Sequence, residues 1–285
     1  MASIRLLRGR IKSVKNIAQI TKAMELVAAS KMKKAQIAAI AGKQYAKKIY
    51  DMVMELAEKS DMSSHPLLHR PEKVVGKRLS IVISTNKGLC GALNTNLFRF
   101  FLGEYPDIKT SEYVTLGRKG ADFITRIGGN VKADFSTTIP FVSTVPALTE
   151  MVTSEFLAGH VDGVDIVYNE FFSALKQAPK KKQLLPLSIE GLGQEYDAVK
   201  TEFVIEPSIP EVFDELLPQY LENQIRDAIL QASASEYSAQ MVAMRNATDN
   251  ALSLNEELTL IYNKARQEKI TYEISDMVTA RLAFE

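Results

Sequence analysis

The residues best placed by type to do chemistry are Cys90 and the glycines beside it, in the run Asn86-Lys87-Gly88-Leu89-Cys90-Gly91. The run directly follows the apolar stretch Leu79-Ser80-Ile81-Val82-Ile83-Ser84, so a strand, a glycine-bearing loop and a helix are expected in that order. Such a loop can hold a phosphate on the free amides of the helix start. Neither G-x-x-x-x-G-K-S/T nor G-x-G-x-x-G occurs in the chain, and the stretch reads as a tight structural turn rather than a nucleotide site. Cys90 lacks a histidine in any recognised local pattern, so a buried small apolar residue is expected there, not a nucleophile. His65 and His69 stand beside Pro66 in a linker and read as solvated. With His160 they are too few and too scattered for a metal centre, and one cysteine excludes a disulfide framework and a thiolate zinc site. Carboxylates are plentiful but form no evident pair. No catalytic residue, cofactor site or metal site is expected.

The 285 residues balance 35 Lys+Arg against 34 Asp+Glu. That near-neutral total predicts no nucleic-acid or membrane partner from bulk charge, and no apolar run approaches the ~20 residues of a membrane span. The balance hides an asymmetry. Residues 1–50 carry 12 basic side chains against Glu25 alone, whereas residues 196–285 carry 7 basic against 16 acidic. A basic head and an acidic tail should attract each other, or each should meet a partner of opposite sign. The basic arm (Arg5, Arg8, Arg10, Lys12, Lys15, Lys22, Lys31, Lys33, Lys34) has the composition of a DNA-reading helix or of a transit peptide. Its apolar pattern continues to residue 56 without a cleavage-like break, which favours contact with an acidic protein surface.

The elements behind these residues divide the chain into three: an N-terminal helix over 1–60, a central α/β domain over 61–207 and a C-terminal helix over 208–285. From Ala2 to about Lys59 there is no proline, and Ile4, Leu7, Ile11, Val14, Ile17, Ile20, Met24 and Val27 recur at steps of three and four. In the middle, Leu79–Ser84, Tyr113–Leu116 and Asp165–Tyr168 are short strand-like runs, with amphipathic stretches at about 91–103, 118–127 and 147–160. Alternation of that kind implies a Rossmann-like domain with a mostly parallel sheet. Leu184–Leu187 is expected at an edge because of Pro186, and Thr201–Ile205 is a further strand candidate. Ser208 should cap the last helix, with Pro210 in its first turn and Glu211 in a capping box. Pro218 should kink or restart it.

Two helices of such length leaving one small domain must pair as a long antiparallel coiled coil. Between Ala228 and Ser253 the second helix is rich in alanine and serine, which lets helix axes approach closely. Asn246, Asp249 and Asn250 are expected to interrupt the seam, giving a weakly supercoiled pair. The C-terminal tip, Met277-Val278-Thr279-Ala280-Arg281-Leu282-Ala283-Phe284, is mostly apolar. If it outruns the first helix it stands exposed, as partner sites do.

Three segments of this chain resemble the γ subunit family of F-type ATP synthase. They are Gln19-Ile20-Thr21-Lys22-Ala23-Met24-Glu25-Leu26-Val27-Ala28, then Lys87-Gly88-Leu89-Cys90-Gly91-Ala92, and a third series in the last helix. That series comprises Met244-Arg245-Asn246-Ala247-Thr248-Asp249-Asn250-Ala251, Tyr262-Asn263-Lys264-Ala265-Arg266-Gln267 and Ile270-Thr271-Tyr272-Glu273. The family's C-terminal signature usually reads on to a Gly-Ala pair, where this chain has Ala280-Arg281, and the cysteine-bearing insertion of chloroplast members is missing.

The resemblance implies a non-catalytic rotor subunit, the central stalk of a proton-translocating enzyme that couples ion transport to ATP synthesis. Its helix pair would lie inside the hexameric ring of α and β subunits, with the α/β domain on the ε subunit and the membrane c-ring. Lys22 and Met24 would face an acidic lever loop of β, and Arg266 with Gln267 another β loop. Met277, Val278, Leu282 and Phe284 would turn in an apolar sleeve of the ring. An amino end without a transit segment implies a bacterial protein, peripheral on the cytoplasmic face of the cell membrane. The alternative reading is a coiled-coil structural adaptor of another ring assembly; a nucleotide-dependent enzyme and a DNA-binding helix are more distant rivals.

Overall fold

The computed structural model describes residues 4–59, 65–69, 74–187, 206 and 208–282. It divides into two compact units, Ser30–Ala239 and a smaller one of Met1–Ala29 with Gln240–Glu285. Helix α1 (Ile4–Lys59) and helix α5 (Ile209–Leu282) contribute to both.

The larger unit holds a five-stranded sheet of β1 (Arg78–Ile83), β2 (Ser111–Leu116), β3 (Asn130–Asp134), β4 (Gly163–Phe171) and β5 (Gln177–Leu185), in the order β3-β2-β1-β4-β5. β1 pairs in parallel with β2 and β4, and β2 with β3; only β5 is antiparallel, along β4. The helices between them are α2 (Leu93–Glu104), α3 (Arg118–Arg126) and α4 (Val145–Leu157), with short 3-10 turns at Ile108–Thr110 and Phe141–Thr144. The mostly parallel α/β domain expected from the alternating pattern is therefore present.

The apolar runs of β1, β2 and β4 are continuous because both sheet faces are covered. Side chains alternate across a strand, and β1 shows it. Val82 packs with Leu97, Phe101, Tyr113 and Ile124 on one face. Ile81 and Ile83 pack on the other with Leu148 and Val152 of α4, Val53 of α1 and Leu217 of α5. α5 supplies Phe213, Leu217, Leu221, Ile225 and Ile229, four residues apart and wholly buried. Each such side chain contributes ~1.5–3 kcal/mol.

That burial bears on the kink or restart expected at Pro218. Pro218 lies inside α5, and the helix runs through it without restarting. An interior proline costs ~3 kcal/mol, which the anchored neighbours Leu217 and Leu221 more than offset. The Ser208 cap expected at the start of α5 is found, since the Glu211 amide donates to Ser208 Oγ at 3.5 Å, whereas among the described residues the Glu211 side chain does not complete the capping box. The edge position expected near Pro186 is also found, but β5 begins earlier, at Gln177, and ends before that proline. Pro179 sits within it, opposite Asn169, where an edge strand tolerates the missing donor. β3, short and alternating between exposed and half-buried positions without large apolar residues, was not foreseen. The candidate strand Thr201–Ile205 lies outside the described residues.

Two polar devices tie the sheet together. Arg78 donates twice to Asp165, from Nε at 2.7 Å and from a terminal nitrogen at 2.6 Å, and the Asp165 side chain is 1% exposed. Tyr105 donates to the same carboxylate at 3.2 Å, and burial followed by that charge pushes its phenol well up. At the end of β1, Ser84 Oγ donates to the Gly117 carbonyl at 3.0 Å and accepts from the Gly120 amide at 2.7 Å. Gly117 has φ +101°, and a Cβ there would collide with the Ser84 carbonyl. Gly117→Ala is therefore expected to destabilise the larger unit by ~2–4 kcal/mol, from strain and overpacking together. Urea unfolding followed by far-UV circular dichroism checks this; a loss below ~1 kcal/mol contradicts it.

Candidate functional site

In the smaller unit the first part of α1 meets the last part of α5. Arg8 donates to Tyr262 Oη at 2.8 Å, and the Thr21 and Thr248 hydroxyls are 2.8 Å apart. In both pairs the residue numbers add to nearly the same value, which defines an antiparallel alignment with one register. That register sets Ala18 level with Ala251 and Ile11 level with Leu258. The inward-facing positions are Leu7, Ile11, Val14, Ala18, Thr21, Glu25 and Ala28 on α1, and Met244, Thr248, Ala251, Asn255, Leu258, Tyr262 and Ala265 on α5, all buried or half-buried. Both series step four, three, four, three, the spacing of a coiled-coil seam.

This differs from the apolar stripe of the sequence in two ways. Ile17, Ile20 and Val27 are at least half exposed, because after Val14 the seam passes to Ala18, Thr21 and Ala28. Asn246, Asp249 and Asn250 do not interrupt the seam either; all three face outward. The heptad was present in the sequence but carried by alanine and threonine, which a search for large apolar residues passes over. Thr21 and Thr248 were missed for the same reason, and the Arg8–Tyr262 contact because it joins residues 254 apart in the sequence.

Hydroxyls suit this position. Thr21 Oγ1 also lies 3.0 Å from the Ile17 carbonyl, and Thr248 Oγ1 donates to the Met244 carbonyl at 2.9 Å. Each hydroxyl thus has a helix partner as well as its counterpart. The Arg8 contact lowers the Tyr262 phenol, first through the hydrogen bond and then through charge, and raises the guanidinium.

The expected contact residues fall at two places. Lys22 is exposed and donates to Glu25 Oε2 at 2.9 Å, and Met24 is half-buried beside it. Arg266 and Gln267 are exposed further along α5. By the register, Arg266 is level with the start of α1, so the two groups are ~27 Å apart along the pair and are not brought together. Beyond Ala265 α5 has no seam partner among the described residues, and positions 266–282 are all exposed. Met277, Val278 and Leu282 are 65%, 53% and 68% exposed, so the described tip does outrun α1; Phe284 lies outside the described residues.

The glycine-bearing loop of the larger unit turns its polar groups on itself and its neighbours. Thr85 Oγ1 donates to the Lys87 carbonyl at 2.6 Å, Asn94 Nδ2 donates to Thr85 Oγ1 at 2.7 Å, and Asn86 Oδ1 accepts from the Arg118 amide at 2.8 Å. Cys90 is buried, and burial pushes its thiol up, away from nucleophilic character. His69 is exposed, but His65 is not solvated as expected. Its ring meets Phe213 edge-on at 5.9 Å, with Nε2 3.0 Å from Asp214 Oδ1. Among the described residues no cluster of three or more His, Cys, Asp or Glu could hold a metal, and no helix is long and apolar enough to cross a membrane.

This geometry, a Rossmann-like sheet with two long helices in antiparallel register, defines a class for which there are known members. The family model described as ATP synthase matches residues 3–284. The ATP synthase gamma chain of Opitutus terrae is 44% identical over 99% of each chain, and that of Herpetosiphon aurantiacus 42% identical over 99% of each. Among solved structures, a chain of the Euglena gracilis mitochondrial ATP synthase (OSCP/F1/c-ring, rotational state 3) superposes with a TM-score of 0.67 at 20% identity, covering 99% of this chain and 94% of that one. A chain of the Tetrahymena thermophila enzyme's central stalk and c-ring gives 0.59 at 24% identity, covering 80% and 99%. The chain belongs to the ATP synthase gamma chain family.

The register rests on the hydroxyl pair. Thr21→Val and Thr248→Val are each expected to cost ~1 kcal/mol, with a coupling of ~0.5–1 kcal/mol in the double-mutant cycle. Thermal unfolding monitored at the helix band measures this, and strictly additive losses would show that the hydroxyls do not act as a pair.

Proposed function

We propose that this chain is the central-stalk rotor of an F-type proton-translocating ATP synthase, itself non-catalytic, coupling rotation of the membrane c-ring to the conformational cycle of the catalytic β subunits. Support comes from family membership and from the names its relatives carry. The observation that carries it is the outer surface of the smaller unit. Small residues occupy the middle of the seam, and large apolar ones such as Ile17, Ile20, Leu26, Leu260 and Ile261 are left at least half exposed. Apolar groups so placed along a paired helix mark a surface made for partners.

In this reading the helix pair sits within the ring of α and β subunits, the α/β domain meets the ε subunit and the c-ring, and the assembly lies on the cytoplasmic face of a bacterial cell membrane. The segments 1–60, 61–207 and 208–285 then serve as first arm, foot and second arm. Lys22 and Met24 address one β loop, Arg266 and Gln267 another. The tip residues Met277, Val278, Leu282 and Phe284 turn in an apolar sleeve of the ring.

A rotor shifts its neighbours between states only through contacts that differ from state to state. Its charged contacts must also let go. Exposed ion pairs are worth ~0–1 kcal/mol; in the Lys22–Glu25 pair the lysine is exposed while the Glu25 side chain, at the seam, is 14% exposed, so Lys22 is the member free to turn to an acidic partner.

Lys22→Ala with Arg266→Ala is expected to change turnover or coupling by ~2–5-fold in a complex that still assembles. ATP synthesis and hydrolysis by the reconstituted enzyme measure it, and unchanged values for both refute the assignment of these residues. Co-purification with tagged β subunit tests the wider reading, which requires a stoichiometric complex.

A further inference from the structure

In open α/β sheets ligands bind outside the carboxyl ends of the strands where the strand order reverses. Here that reversal lies between β1 and β4. α5 closes the crevice, with Ser235 Oγ donating to the Asn169 carbonyl at 2.9 Å and Gln231 Oε1 accepting from the Phe171 amide at 3.3 Å. Beneath it remains a cavity of about 10 Å³ whose lining includes Ser84, Thr85, Asn169, Ser233 and Glu236. That is room for about one water molecule.

Two of these residues have unused capacity. Asn169 is 3% exposed, yet its side chain makes no hydrogen bond among the described residues. Glu236 likewise has neither a hydrogen bond nor an ion pair among them. The nearest cation, Lys31 of α1, instead places Nζ over the Tyr237 ring at 5.4 Å from its centre. The groups facing Glu236 are Lys31 from α1, Cys90 from the loop after β1, and Tyr237 of α5 itself. Burial outweighs the attraction of Lys31 and raises the carboxyl to about 7.

We propose that Glu236 and Asn169 form a proton-binding site in this crevice, and that the bound proton keeps α5 seated over the ends of β1 and β4. A neutral carboxyl can donate to the Asn169 amide oxygen or to one bridging water, and it carries no charge into the apolar surround of Ile83, Leu93 and Phe141. Ionisation releases the proton to solvent and leaves a half-buried carboxylate with no ion-pair partner among the described residues. The seat then weakens.

The sign follows from linkage. The folded value lies above the ordinary carboxylate value, so the stabilisation is complete at low pH and is lost as pH rises through about 7. Amide hydrogen exchange of the full chain, corrected for intrinsic rates, reads this at residues 228–236. Protection there should fall roughly thirtyfold between pH 5 and pH 7. The isostere of the protonated form, E236Q, should be as protected at pH 5 as the parent chain and should stay so at pH 7. In the unsubstituted chain, the carboxyl carbon of Glu236 followed by NMR should titrate near 7. A titration midpoint in the ordinary range of 4–5, an E236Q profile as pH-dependent as the parent, or failure of E236Q to fold at pH 5 would overturn the proposal.

Discussion

Around Thr21 and Thr248, alanine and hydroxyl side chains rather than leucines separate α1 from α5, and the surface there follows from that. Ala18, Ala28, Ala251 and Thr248 are buried there, and they bury little apolar area between them. Small seam residues let two axes come close, but methyl groups fix a register weakly. Directional contacts supply what area does not, with Thr21 against Thr248 and Arg8 against Tyr262 spaced along the pair. The large residues Ile17, Ile20 and Val27, which fall outside the four-three spacing of the seam, face outward. A seam that takes small side chains over its middle, with large apolar residues off the seam, thus leaves an apolar exterior that a partner can grip.

The larger unit uses the opposite strategy. Its part of α5 buries a full face of Phe213, Leu217, Leu221, Ile225 and Ile229 against the sheet, strongly enough to carry Pro218 within the helix. The sheet edge it shares with β5 is polar, with Lys180 paired to Glu170 at 2.7 Å, and Lys182 held down by burial beside Gln224. One helix therefore serves as a core element in one unit and as half of a thin pair in the other. The change falls between Ala239 and Gln240, past the last large core residue of this series, Ile229.

Much of this was legible in the sequence because the signals were local. β1, β2 and β4 are runs of buried residues in a doubly covered sheet, and α2, α3 and α4 fall within two or three residues of their amphipathic stretches. The exposure of Met277, Val278 and Leu282 followed from the helix lengths. What escaped was non-local or small. β3 alternates without large apolar residues, β5 contains Pro179 and three lysines, and the Arg78–Asp165 pair joins residues 87 apart. The seam was misjudged because hydrophobicity marks it poorly once alanine and threonine carry it. His65 looked like a linker residue, since nothing in its neighbourhood announces Phe213 and Asp214.

Membership of the ATP synthase gamma chain family gives this two-helix unit a mechanical reading, in which α1 and α5 must act as one body in one register. Cysteines at Ala18 and Ala251, in a chain whose Cys90 is replaced by serine, test that most directly when joined by oxidation or by a short bifunctional reagent in the reconstituted complex. The account predicts efficient cross-linking with ATP-driven proton pumping retained, since a bridge across a fixed register removes no motion the rotor uses. Failure of these two positions to join, or loss of pumping that returns on reduction, would show that the helices slide or separate as the enzyme turns.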